Sequence, residues 1–163
     1  MSGLYIHIPF CKQACHYCNF HFSTSLKYRE EMLQAMITEL DLQKDYLHDT
    51  ALQSVYLGGG TPSLLRQEEL NRLFEKIHAL FEVAADAEIC LEANPDDLTE
   101  SYLEELAEGP INRLSIGIQS FFAEDLTFMN RAHDAEQALR CIPLAQAAGF
   151  YNLTVDLIYG VQG

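Results

Sequence analysis

The feature that most constrains the fold is a periodicity that switches repeatedly between two and about 3.6 residues. Leu4 to Ile8, Ser54 to Gly58, Glu88 to Ala93, Arg113 to Gln119 and Asn152 to Tyr159 read as strands. Between the first two lies an apolar stripe at helical spacing, Met32, Leu33, Met36, Ile37 and Leu40, running to about Leu47. Ser23-Thr24-Ser25 reads as a turn placed to cap it. Leu70, Leu73, Phe74, Ile77, Leu80 and Phe81 mark a second helix, and Thr99 opens a third that Gly109-Pro110 stops. The fourth connection reads as split. A short piece from about Ala123 to Asn130 precedes a helix capped by Asp134, with Gln137 at the capping-box position and Gly149 at the end. Pro143 falls inside that helix and predicts a kink. Strands alternating with helices predict an α/β fold of parallel βαβ units, either a doubly wound sheet or part of a (β/α) barrel. Both place ligands at the C-terminal ends of the strands. At 163 residues, with no repeat or linker, residues 1–163 form one domain with a real core.

The densest chemistry follows the first strand. Cys11, Cys15 and Cys18 stand at C-x3-C-x2-C spacing in a loop tight enough to aim three sulfurs at one centre. Three thiolates suit a [4Fe–4S] cube, in which each holds one iron and the fourth iron keeps no protein ligand. Zinc is an alternative, with His16, His21 or His7 as a fourth ligand, although structural zinc thiolates usually come as two separated knuckles. A disulfide is disfavoured because the loop thiols are odd in number and no export signal precedes them. Five cysteines without such a signal fit a reducing cytosol, so a cytoplasmic protein is expected. Cys90 and Cys141, each alone in an apolar segment, read as small buried hydrophobes.

Alternation along the later strands assigns their faces. Glu92 opposes Leu91, Gln119 opposes Ile118, and Asp156 opposes Val155 and Leu157. The bulkier apolar faces are expected to pack on helices. The faces bearing Glu92, Gln119 and Asp156 then line a polar interior near the strand ends. Gly59 and Gly60, inside Gly58-Gly-Gly-Thr-Pro62, let backbone approach a ligand closely. No Lys-Ser/Thr pair follows them, which argues against a phosphate loop. In Asn130-Arg131-Ala132-His133, Arg131 reads on its surroundings alone as a solvated loop arginine, and His7, on the strand face of Tyr5, as a structural hydrogen-bonding group.

The formal net charge of −14 repels phosphate backbones and anionic lipid, so nucleic acid and membrane surfaces are poor partners. No run of about twenty apolar residues is present, so no integral membrane segment is expected.

The stretch Tyr5-Ile-His-Ile-Pro-Phe-Cys-Lys-Gln-Ala-Cys-His-Tyr-Cys18 resembles the signature of the radical S-adenosylmethionine (SAM) superfamily. More narrowly, it resembles the group of oxygen-independent coproporphyrinogen III oxidases and their HemW-like haem-chaperone relatives. Gly58-Gly-Gly-Thr-Pro-Ser63, Leu91-Glu-Ala-Asn-Pro95, Ser115-Ile-Gly-Ile-Gln-Ser-Phe121 and Asp156-Leu-Ile-Tyr-Gly160 agree in order and spacing. The resemblance implies a partial parallel (β/α) barrel, here stopping after about five units, with the last unit and a C-terminal domain outside the chain. It implies a [4Fe–4S] cluster on Cys11, Cys15 and Cys18, SAM chelating the open iron, and an electron donor that allows SAM to be cleaved. It implies SAM contacts at Tyr5, Tyr17, Gly59, Gly60, Thr61, Glu92, Gln119, Arg131 and Asp156, with Glu92 on the ribose hydroxyls. The oxidases carry a fourth cysteine where this chain has Phe20, and the pattern C-x3-C-x2-C-x-F is similar to the chaperone branch. That branch implies haem, bound in the missing C-terminal part and delivered to acceptor proteins. Coproporphyrinogen oxidation is the alternative, and a non-catalytic zinc-binding domain a third.

Overall fold

The structure, a computed structural model, describes residues 2–47 and 51–161. Five strands, β1 (Ser2–Ile8), β2 (Ala51–Gly59), β3 (Glu82–Ala93), β4 (Arg113–Gln119) and β5 (Leu153–Leu157), form one parallel sheet in the order β1-β2-β3-β4-β5. Helix α1 (Arg29–Gln43) joins the first two strands, α2 (Gln67–Leu80) the next, and α3 (Glu100–Ala107) leads into β4. The last connection is split into α4 (Ala123–Phe128) and α5 (Ala135–Ala147). A doubly wound sheet reverses strand order at a switch point, and this one never does. Sequential order with right-handed crossovers sends every helix to the same face, which is the barrel way of winding. The sheet stays open, with β1 and β5 as its edges.

The helical face holds the core. Ile6 and Ile8, Val55 and Leu57, Ile89 and Leu91, and Leu114, Ile116 and Ile118 alternate into it and are buried. They meet Leu33 and Leu40 of α1, Leu70, Leu73 and Ile77 of α2, and Leu103 and Leu106 of α3. Arg29 Nε ties α1 to the buried Glu69 of α2 at 3.0 Å. Cys90 and Cys141 are buried, and burial pushes both thiols up to about 11, so they are inert small hydrophobes as the sequence suggests.

Local signals explain most boundaries. Thr99 accepts from the Tyr102 amide at 3.2 Å, and Asp134 and Gln137 close a reciprocal capping box at 2.8 and 3.0 Å. The serines before α1 behave differently from expectation. Ser23 Oγ accepts from the Ser25 amide and Ser25 Oγ from the Lys27 amide, so both are consumed in a turn. The helix starts only at Arg29, with Tyr28 as an N-cap lacking a side-chain bond. It also stops at Gln43, short of Leu47. Helix α5 continues through Pro143 as one element. On β5 the apolar side is not covered: Val155 and Leu157 are 38% and 55% exposed, against the expectation that this face packs on a helix.

Candidate functional site

The face of the sheet away from the core carries small and polar side chains, and at its C-terminal end they surround a cavity of about 350 Å³. That volume lies in the range of small-molecule sites. All twelve residues singled out in the sequence line it. β1 contributes Tyr5, and the loop after it Cys11, Cys15, Tyr17 and Cys18. Gly59, Gly60 and Thr61 come from the exit of β2, Glu92 from β3, Gln119 from β4 and Asp156 from β5. Arg131 enters from the loop after α4.

The cysteine loop is clasped from two sides. Lys12 Nζ reaches Asp96 Oδ2 at 2.6 Å and also bridges to Asp97, both carboxylates being nearly buried in the loop after β3. His16 donates its amide to the Met129 carbonyl at 3.0 Å and Nδ1 to that of Phe128 at 2.7 Å. Asn130 Nδ2 donates to the Ala14 carbonyl at 2.9 Å. Beyond the thiols, Cys11 and Ser23 amides bond back across the base of the loop at 3.1 and 2.8 Å. The sulfurs therefore have fixed positions around one cavity.

Burial pushes the Cys11 thiol up, and the nearby Cys18 and Cys15 sulfurs push it the same way, while the Thr61 hydroxyl and Arg131 pull it down. Among the described residues, no three His, Cys, Asp or Glu side chains converge as ligands of a single ion. His16 spends Nδ1 on a carbonyl, and His7 donates Nε2 to the His21 carbonyl at 3.4 Å and accepts from Tyr5. Three thiolates around one cavity suit a cube, in which each sulfur binds a different iron.

Arg131 is a hub and not a solvated loop residue. One guanidinium nitrogen donates to Asn94 Oδ1 and to the Gly117 carbonyl, each at 2.7 Å. The other lies 3.1 Å from the Tyr17 hydroxyl and 3.4 Å from Cys15 Sγ. Among the described residues its Nε is buried without a protein acceptor, which suits a site completed by an anionic or polar ligand. Asn94 also donates to Thr61 Oγ1 at 3.3 Å, joining the exits of β2 and β3. Asn94, on the Glu92 face of its strand, was readable by alternation, but nothing in the sequence pairs it with Arg131.

Backbone shape completes the cavity. Gln119 has φ of +65°, unusual for a side-chain-bearing residue, and the Ser120 amide donates to the Ile118 carbonyl at 2.8 Å across it. This turn ends β4 and aims Gln119 inward. At Gly59, φ is +114° and any Cβ would lie 2.6 Å from the His7 ring, so only glycine serves.

Behind Arg131, His133 is buried and donates Nε2 to the Ile118 carbonyl at 2.9 Å, leaving Nδ1 to face Arg131 NH2 at 3.5 Å. Burial, then the guanidinium, holds its pKa below the usual histidine value. A base depressed in the folded state binds its proton more readily when unfolded, so its contribution is full above about pH 6.5 and is lost as pH falls through the folded value. We expect denaturant midpoints to fall on acidification from about pH 6.5, and His133→Gln to flatten that part of the profile. An unchanged slope in the variant would assign the acid sensitivity elsewhere.

A family model, Radical SAM superfamily, matches residues 5–163. The haem chaperone HemW of Escherichia coli is 37% identical over 98% of this chain and 43% of its own length. HemW of Bacillus subtilis is 35% identical over 100% of this chain and 44% of its own. The solved structure of coproporphyrinogen III oxidase (HemN) from Escherichia coli, described as a radical SAM enzyme, superposes with a TM-score of 0.89 at 31% identity. That match covers 98% of this chain and 37% of the oxidase. The chain thus spans less than half the length of each of these relatives. Among the described residues, no helix is long and apolar enough to cross a membrane.

Proposed function

The chain belongs to the radical SAM superfamily, and on that premise we propose that it is the cluster- and SAM-binding part of a haem chaperone that passes haem to acceptor proteins. Cys11, Cys15 and Cys18 would hold the [4Fe–4S] cluster. When bound, such a cluster offers an iron free of protein ligands and a single electron. The protein's own share is placement. Gly59, Gly60 and Thr61 would offer backbone and a hydroxyl to the SAM amino end, Glu92 would hold the ribose, and Gln119, Arg131, Asp156, Tyr5 and Tyr17 would enclose the rest, all of them lining the same cavity. The single observation that supports this reading most is that all of these groups, from five strands and three loops, line one cavity.

The chaperone assignment rests on Phe20. It lines the same cavity and is 72% exposed, at the position where the oxidases carry their extra cysteine, and a phenyl ring cannot ligate iron. The similarity to HemN keeps radical decarboxylation of coproporphyrinogen III as a second reading. Anaerobic reconstitution of the full-length protein followed by haem titration, beside its incubation with coproporphyrinogen III, SAM and a reductant, separates the two. Haem binding without vinyl product is expected. Vinyl product would reject the chaperone reading in favour of the oxidase.

A further inference from the structure

We infer that Tyr56 is a positioning residue whose hydroxyl fixes the Glu92 carboxylate for the ribose of the bound nucleoside, a role that rests on the SAM reading above. Tyr56 lies in β2, on the cavity side of the sheet, paired in register with Tyr5 and Cys90. Its hydroxyl donates to Glu92 Oε1 at 2.8 Å, while the Gly59 amide donates to Oε2 at 3.0 Å. Each carboxylate oxygen is thus held by a different donor, which stops the group rotating and leaves its remaining lone pairs for ligand hydroxyls. Burial and the Glu92 carboxylate both push the Tyr56 phenol up, so it stays protonated and donates.

The neighbours are built around this contact. The Tyr5 ring stacks on Tyr56 with centroids 6.0 Å apart at 24°, and its own hydroxyl is spent on His7 Nδ1 at 3.1 Å. Of the two phenols it is Tyr56 that serves Glu92. At Gly58 a Cβ would lie 2.8 Å from the Tyr56 ring, 2.9 Å from that of Tyr5 and 3.2 Å from the Glu92 carboxyl carbon. A side chain there would push the three apart, so the absence of one at position 58 is the condition for their convergence.

The test is a ligand-by-mutant cycle on the anaerobically reconstituted protein, read by calorimetry with SAM and with its 2′,3′-dideoxyribose analogue. Circular dichroism and iron content verify that Tyr56→Phe folds and carries its cluster. A hydrogen bond to a charged group is worth enough that the variant should bind SAM about tenfold more weakly. It should bind the analogue as wild type does, because nothing remains for Glu92 to hold. Equal weakening for both ligands would make Tyr56 a packing residue and overturn the inference, as would no weakening at all. Wild-type protein that fails to bind SAM, or that does not distinguish it from the analogue, would overturn the ribose assignment of Glu92 and this role with it.

Discussion

Cys18→Ala is expected to yield a folded chain that no longer assembles an iron–sulfur cluster. The wild type, reconstituted anaerobically, is expected to carry about four iron and four sulfide per chain. The variant should fall to background in both, and its visible thiolate-to-iron absorbance should vanish. Cys18 is the cleanest of the three thiols to remove, because Cys15 also touches Arg131 and Cys11 also takes the Thr61 hydroxyl. With two thiolates left, half the irons of a cube would lack protein ligands, and the remaining sulfurs cannot compensate. Thermal unfolding should barely move, since the loop is anchored by Lys12, His16 and Asn130. Wild-type protein that takes up zinc with no sulfide would reject the cluster and return the loop to a zinc-site reading.

The second large effect belongs to Arg131. Arg131→Ala removes five contacts at once and strands the Gly117 carbonyl and the Asn94 side-chain oxygen. Each stranded buried acceptor costs about 1–3 kcal/mol, so a loss of about 2–4 kcal/mol is expected after relaxation. Chemical denaturation of the variant beside the wild type measures it. SAM affinity should fall more than tenfold, since the cavity wall that Arg131 forms would be gone. Arg131→Lys should recover part of the stability and little of the affinity, because an ammonium cannot span Asn94, Gly117 and Tyr17 together. A lysine variant that matches the wild type in both would reduce Arg131 to a point charge.

Much of this was legible in the sequence, for identifiable reasons. Strict alternation in Arg113–Gln119 placed Ser115, Gly117 and Gln119 on one face, and that face is the cavity wall. The Asp134 and Gln137 pair marked the start of α5 because a capping box is a purely local bargain between neighbours. The serines at 23 and 25 show where local reading stops. Their hydroxyls are equally suited to a turn or a cap, and the bridge between Phe10 and Ser23 decides for the turn. Arg131 and Asn94 could not be paired from sequence, since 37 residues separate them and only the order of β3 and β4 brings them together. Tyr56 sits two residues before Gly58, and its value appears only once Glu92 is seen opposite.

The clasps on the cysteine loop are made wholly of protein atoms: a lysine over two aspartates, a histidine and an asparagine against neighbouring carbonyls. Ordering a residue costs roughly 1–2 kcal/mol in backbone freedom, and here folding bears that cost for the whole loop in advance. A cluster built there would meet a rigid socket instead of having to organise one. Stripping the metal should leave the barrel segment standing, ready to be recharged, unlike small domains that collapse when their ion is withdrawn.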